Sequence, residues 1–104
     1  MQEVKLKNIS NDKNVLLCAV MDKNEITIRL NKIKGYYYNY ILGFKNEIIY
    51  IGYSSNIYMR LLQHKYYKKF DKIILIEMTN KKSARLMERT LIKQYKPKDN
   101  YQYL

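Results

Sequence analysis

Four side chains beyond residue 35 make a chemically complete set for phosphodiester hydrolysis: a tyrosine, a guanidinium, an imidazole and a carboxylate. Tyr50 directly precedes Ile51-Gly52, Arg60 and His64 stand four apart, and Glu88 follows Ala84-Arg85-Leu86-Met87. In such a set the carboxylate holds a divalent metal that polarises a phosphate oxygen. The arginine stabilises charge developing on the phosphoryl group, and a deprotonated tyrosine or a neutral histidine takes a proton from water. Asn100 near the C-terminus is a further polar position. Each has a plainer explanation when taken alone. Tyrosine is a favoured strand residue, Arg60 and His64 suit a solvated helix face, and Asn100 suits a turn. Glu88 can pair with Arg85 for about 0.2–0.5 kcal/mol, too little to explain a carboxylate on a core-facing side.

The surrounding sequence predicts the elements that would position these groups. Val15–Val20 is a short apolar run, Asp22-Lys23-Asn24 is turn chemistry, and Glu25–Leu30 alternates polar with apolar, so residues 15–30 read as a β-hairpin. Tyr36–Leu42 and Ile48–Ile51 are β-rich runs about Gly43–Glu47, a second hairpin, with Gly52 letting the backbone turn out of the strand. Ser54 or Ser55 caps a helix running to about Tyr66, with Ile57, Leu61 and Leu62 on its apolar face. Arg60 and His64 then share a face. Ile73–Ile76 is a buried strand. Asn80 caps a last helix with Ala84, Met87, Leu91 and Tyr95 inward, ended by Pro97. From residue 35 the order is β-β-α-β-α, which favours a small α+β layer fold.

Composition narrows the partners. A chain of 104 residues is one domain, and Lys+Arg 20 against Asp+Glu 9 gives net charge +11. Such a field attracts polyanions, nucleic acid before an anionic membrane surface. All 12 tyrosines fall at or after Tyr36, and residues 35–104 carry a net +8 against +3 for residues 1–34. Lys65, Lys68, Lys69, Lys72, Lys81, Lys82, Lys93, Lys96 and Lys98 are the candidate phosphate contacts. Tyr53, Tyr58, Tyr66 and Tyr67 would either stack on unpaired bases or cover the core. The single cysteine, Cys18, allows neither an internal disulfide nor a zinc site. No signal peptide or membrane span is expected, and an intracellular, reducing location follows.

The residue pattern resembles the GIY-YIG nucleases. Tyr50-Ile51-Gly52 matches the second half-motif, and Tyr38 to Gly52 reads YNYILGFKNEIIYIG. Arg60 follows Tyr50 by ten and His64 by four more, Glu88 lies in ARLMERTLIKQYKPKDN, and Asn100 follows a Tyr-x-Pro turn. The likeness covers about residues 35–101, with residues 1–34 an extension of the same fold. The first half-motif lacks its glycine: spacing favours Tyr40, nine residues intervening before Tyr50, with Tyr38 on the same strand face as the competitor. The resemblance implies a three-stranded antiparallel sheet flanked by helices and a metal-dependent DNA endonuclease leaving 5′-phosphate and 3′-hydroxyl ends. One Mg²⁺ or Mn²⁺ would sit on Glu88, with no small-molecule cofactor. The first-motif tyrosine would act as general base, Tyr50 would support water or phosphate, and Arg60 would stabilise the transition state. His64 would bond a catalytic tyrosine or assist proton transfer, and Asn100 would hold the geometry. DNA, duplex or branched, is the expected partner, contacted by Lys65, Lys68, Lys69, Lys81, Lys82 and Tyr53, with a homodimer or a targeting protein as routes to specificity and no membrane. Two readings of another class remain: a non-catalytic basic nucleic-acid-binding module, and an adaptor for another nuclease.

Overall fold

The computed structural model describes residues 4–29 and 36–103. The elements are α1 (Leu6–Ser10), β1 (Val15–Asp22), a 3-10 turn (Lys23–Glu25), α2 (Ile26–Arg29), β2 (Tyr38–Phe44), β3 (Glu47–Ser54), α3 (Ile57–Tyr67), β4 (Lys72–Met78), α4 (Lys81–Tyr95) and a 3-10 segment (Lys98–Tyr103). From β2 onward the order is the expected β-β-α-β-α. The strands form one antiparallel sheet of four, ordered β1-β4-β2-β3.

Helices cover both faces of this sheet, so its central strands carry apolar side chains in both directions. On one face Tyr38, Tyr40 and Leu42 pack with Ile73, Leu75, Ile57 and Leu61. On the other, Ile41, Ile51, Ile74 and Ile76 pack with Ala84, Met87 and Leu91 of α4. This explains why β2 is buried almost throughout rather than alternately. Full burial of an aliphatic side chain stabilises by about 1.5–3 kcal/mol, so these two clusters carry the fold.

The N-terminal hairpin is not formed as expected. Its first arm is β1, which extends the sheet by pairing with β4, but residues 23–29 turn into helix. The cause is a capping signature in the sequence: Asp22 N–H donates to Glu25 Oε1 at 3.0 Å, the reach-back half of a capping box. Ile26 is thereby turned into the core. Leu30, the end of the expected second arm, lies outside the described residues. The three strands expected from residue 35 onward are present as β4-β2-β3, and β1 extends them to a sheet of four.

Smaller differences have equally local causes. The β2–β3 connection is a two-residue turn at Lys45 and Asn46, with φ of 48° and 68°, so the strands run closer to the turn than expected. Helix α3 is capped by Asn56, whose side chain accepts from Met59 N–H at 3.4 Å, while Ser54 Oγ accepts from Asn56 N–H at 3.0 Å. The Asn80 cap forms as expected, accepting from Ser83 N–H at 2.8 Å. Lys96, left-handed at φ 45°, and Pro97 end α4.

Candidate active site

Tyr40 and Tyr50 reach the same sheet face by strand register. Tyr40 is paired with Gly52 and Leu42 with Tyr50, so both tyrosines project toward α3. From that helix His64 meets them: Tyr40 Oη and His64 Nε2 are 2.8 Å apart. The ring centroids lie 5.4 Å apart for Tyr40 and His64, 5.0 Å for Tyr50 and His64, and 6.0 Å for the two tyrosines.

Gly52 makes this cluster possible. Its φ is not positive, and it sits inside β3 rather than at a turn, so backbone freedom is not its role. A Cβ built there would lie 2.5 Å from Tyr40 Cζ. The missing side chain is the space that the Tyr40 ring occupies. Tyr38, the competing first-motif tyrosine, is buried on the same face two residues earlier; it is Tyr40 whose hydroxyl meets His64.

Burial sets the protonation states. Desolvation raises the Tyr40 hydroxyl pKa, the neighbouring Tyr50 adds to the rise, and the Arg60 charge opposes it. Desolvation, followed by the charges of Lys68 and Arg60, lowers His64 to about 4. Near neutrality the pair is therefore an uncharged tyrosine facing an uncharged imidazole. Tyr38 is pushed up to about 12, by desolvation first and then by Glu77.

Beside the cluster an open cleft of about 620 Å³ runs along the free edge of β3, where α3 and α4 converge from opposite faces of the sheet. Tyr50 and Arg60 line it from one side, and Tyr53, Lys81, Arg85 and Glu88 from the other. Glu88 is the only carboxylate among the described residues lining it. Its side chain, 16% exposed, accepts from Arg85 at 3.4 Å, and Arg85 in turn lies 4.6 Å from the centre of the Tyr53 ring. Among the described residues no group of three or more His, Cys, Asp or Glu is arranged to hold a metal. Glu88, a single carboxylate, is the described residue lining the cleft with the chemistry to ligate a divalent cation.

Asn100 closes the free edge of β3. Its Oδ1 accepts from Ile51 N–H and its Nδ2 donates to Ile51 C=O, both at 2.8 Å. The side-chain amide thus replaces a missing strand at the residue between Tyr50 and Gly52. Asn39, absent from the sequence-derived set, plays a related part on the opposite face. It is fully buried, and its Nδ2 donates to Ala84 C=O at 2.9 Å and to Gly52 C=O at 3.4 Å. It ties the helix of Glu88 to the strand of Tyr50. The available signal was a lone amide inside an apolar strand, which must find partners when buried.

The basic candidates divide. Lys81 lines the cleft, and the Lys68 ammonium stands 4.6 Å from the Tyr50 ring centre. Lys65, Lys69 and Lys82 are exposed and line no part of this cleft. Lys72, itself exposed, pairs with Asp22. Tyr58 packs against the core, while Tyr66 and Tyr67 stand out in solvent.

Over 67 residues the chain is 40% identical to UvrABC system protein C of Mycoplasmoides gallisepticum (strain R(low / passage 15 / clone 2)). That match covers 53% of this chain and 11% of the relative, so the chain corresponds to a small part of that protein. No family model matches, and no solved structure matches. Among the described residues no helix is long and apolar enough to cross a membrane.

Proposed function

We propose that the chain is a DNA endonuclease of GIY-YIG type, hydrolysing a phosphodiester in the cleft along the β3 edge. The observation that carries this is the Tyr40 hydroxyl 2.8 Å from His64 Nε2, beside a cleft that combines Tyr50, Arg60 and a single carboxylate, Glu88. The motif resemblance and the partial similarity to UvrABC system protein C support the same reading.

In this reading the proton of the attacking water reaches the buried Tyr40 through Tyr50, which lines the cleft and hydrogen-bonds to it, as the proton of Tyr40 passes to His64 Nε2, in the tautomer that leaves this nitrogen free. Tyr50 orients water or phosphate from the cleft wall. Arg60 offsets the charge that grows on the phosphoryl oxygens, the interaction expected to strengthen most toward the transition state. Glu88 would hold one Mg²⁺ or Mn²⁺, which when bound supplies Lewis-acid polarisation of the phosphate. The loose, half-exposed Arg85 contact to Glu88 is worth little and yields readily to a metal or a phosphate. Asn100 and Asn39 fix strand and helix so that these groups converge. Cleavage leaves 5′-phosphate and 3′-hydroxyl ends.

The Arg85–Glu88 pair is the one observation favouring a non-catalytic binding module, because it gives the carboxylate a partner without chemistry. Cleavage decides between the two. Purified protein is expected to cut or nick duplex or branched DNA with Mg²⁺ or Mn²⁺ and not with chelator. Glu88→Ala and Tyr40→Phe should each lose about 100-fold or more in rate while binding DNA normally in chelator. Equal activity of wild type and Glu88→Ala, or no activity across metals and DNA structures, refutes the enzyme reading.

A further inference from the structure

A second cleft of about 450 Å³ is lined by Phe44, Tyr67, Lys68, Lys69, Lys98 and Asp99, among others. Lys68 relates it to the first cleft: it lines the second, and its ammonium stands 4.6 Å from the centre of the Tyr50 ring, which lines the first. Lys68 also pairs with Asp99 at 3.3 Å, both side chains being partly buried. The only acid among these residues is thus matched, and the net positive charge of the cleft rests on Lys69 and Lys98.

Tyr67 is the residue that charge attraction does not explain. The residue is 87% exposed, yet it borders this cleft beside the lysines. A solvent-facing phenol next to ammonium groups is the combination used on single strands, where cations follow the phosphates and an aromatic face takes a base. A base within a duplex already has neighbours on both faces and offers none to Tyr67.

We infer that the second cleft is a subsite for an unpaired nucleotide, in a single-stranded DNA segment adjoining the phosphodiester to be cut. Lys69 and Lys98 hold its phosphate and Tyr67 stacks on its base. Its place beside the cut rests on the nuclease reading, whereas the preference for an unpaired strand does not. The substrate class that follows is DNA with a single-stranded or splayed segment beside the cut.

The test is equilibrium binding, in chelator, of a short single-stranded oligodeoxynucleotide and a duplex of equal length. Tyr67→Ala should weaken single-strand binding about tenfold and leave duplex binding unchanged, and Tyr67→Phe should restore it. Lys69→Ala and Lys98→Ala should each flatten the single-strand salt dependence by about 0.7 in log–log slope. Tyr66, 85% exposed but outside the cleft, serves as control, and Tyr66→Ala should bind as wild type. No single-strand binding by wild type, an equal loss on both DNAs with Tyr67→Ala, or an equal effect of Tyr66→Ala overturns the inference. The two readings fail separately. A chain that cuts DNA but ignores Tyr67 loses only the subsite, and one that cuts nothing yet shows the Tyr67-dependent preference keeps the subsite and loses the nuclease.

Discussion

Gly52→Ala adds a single methyl group, and the sign of its effect depends on one neighbour. The position has no positive φ, so alanine fits the backbone, and on chain entropy alone the change should stabilise by about 0.4–1 kcal/mol. The methyl, however, would fall 2.5 Å from Tyr40 Cζ, and Tyr40 is fully buried with its hydroxyl on His64. Forcing an extra carbon into such packing costs about 1–3 kcal/mol. In a chain of this size about 1 kcal/mol moves Tm by roughly 4–8 °C, so a fall of roughly 4–24 °C is expected. The assay is thermal unfolding of a double-mutant cycle with Tyr40→Leu, which removes the obstructing atoms while keeping an apolar side chain. In that background Gly52→Ala should be neutral or stabilising. An equal cost in both backgrounds, or a stabilised single variant, refutes the claim that Gly52 exists to admit the Tyr40 ring.

His64 gives the chain a pH dependence of defined sign. Its folded pKa is lowered to about 4 from an ordinary 6.5, so between these values the unfolded chain binds more protons and stability falls as pH falls. Urea midpoints measured across that window should decline more steeply for wild type than for His64→Gln; parallel declines refute the buried neutral imidazole. Asn100→Ala removes two bonds of 2.8 Å from Ile51 and should cost about 1–3 kcal/mol. Hydrogen exchange should accelerate at the Ile51 amide but not at amides in β4, and an unchanged Ile51 rate refutes the clamp.

Much of the fold was legible because local signals agreed with tertiary demands. Tyr36–Leu42 and Ile48–Ile51 lie within or close to the observed strands, and the Asn80 cap and the Ala84, Met87, Leu91 stripe sit as the sequence predicts. The reading failed at Glu25–Leu30, where alternation suggested a strand but the Asp22–Glu25 capping interaction started a helix. Two competing local patterns overlapped there, and burial of Ile26 against the sheet decided between them. At the site, periodicity placed Tyr38 and Tyr40 on one strand face and Arg60 and His64 on one helix face without choosing between the two tyrosines; the contact with His64 is made by Tyr40. Periodicity was insufficient for Asn39, whose partners are Gly52 and Ala84, thirteen and forty-five positions away. Nor could it assign Gly52 its role, which depends on the ring across the strand pair.

Tyr40 and His64 are shifted in opposite directions by the same physical cause. Burial disfavours the tyrosinate and the imidazolium alike, so each group alone is a poor carrier of charge at this site. Their contact resolves that difficulty for the proposed reaction. A proton leaving Tyr40 for His64 Nε2 while another arrives from water leaves the tyrosine neutral throughout, and the only new cation is on the imidazole. The charges of Lys68 and Arg60 already disfavour that cation, and the phosphate of a bound substrate, opposite in sign to both, relieves their effect. Under this reading His64 becomes a competent acceptor only when DNA occupies the cleft, and the resting site does not take a proton from free water.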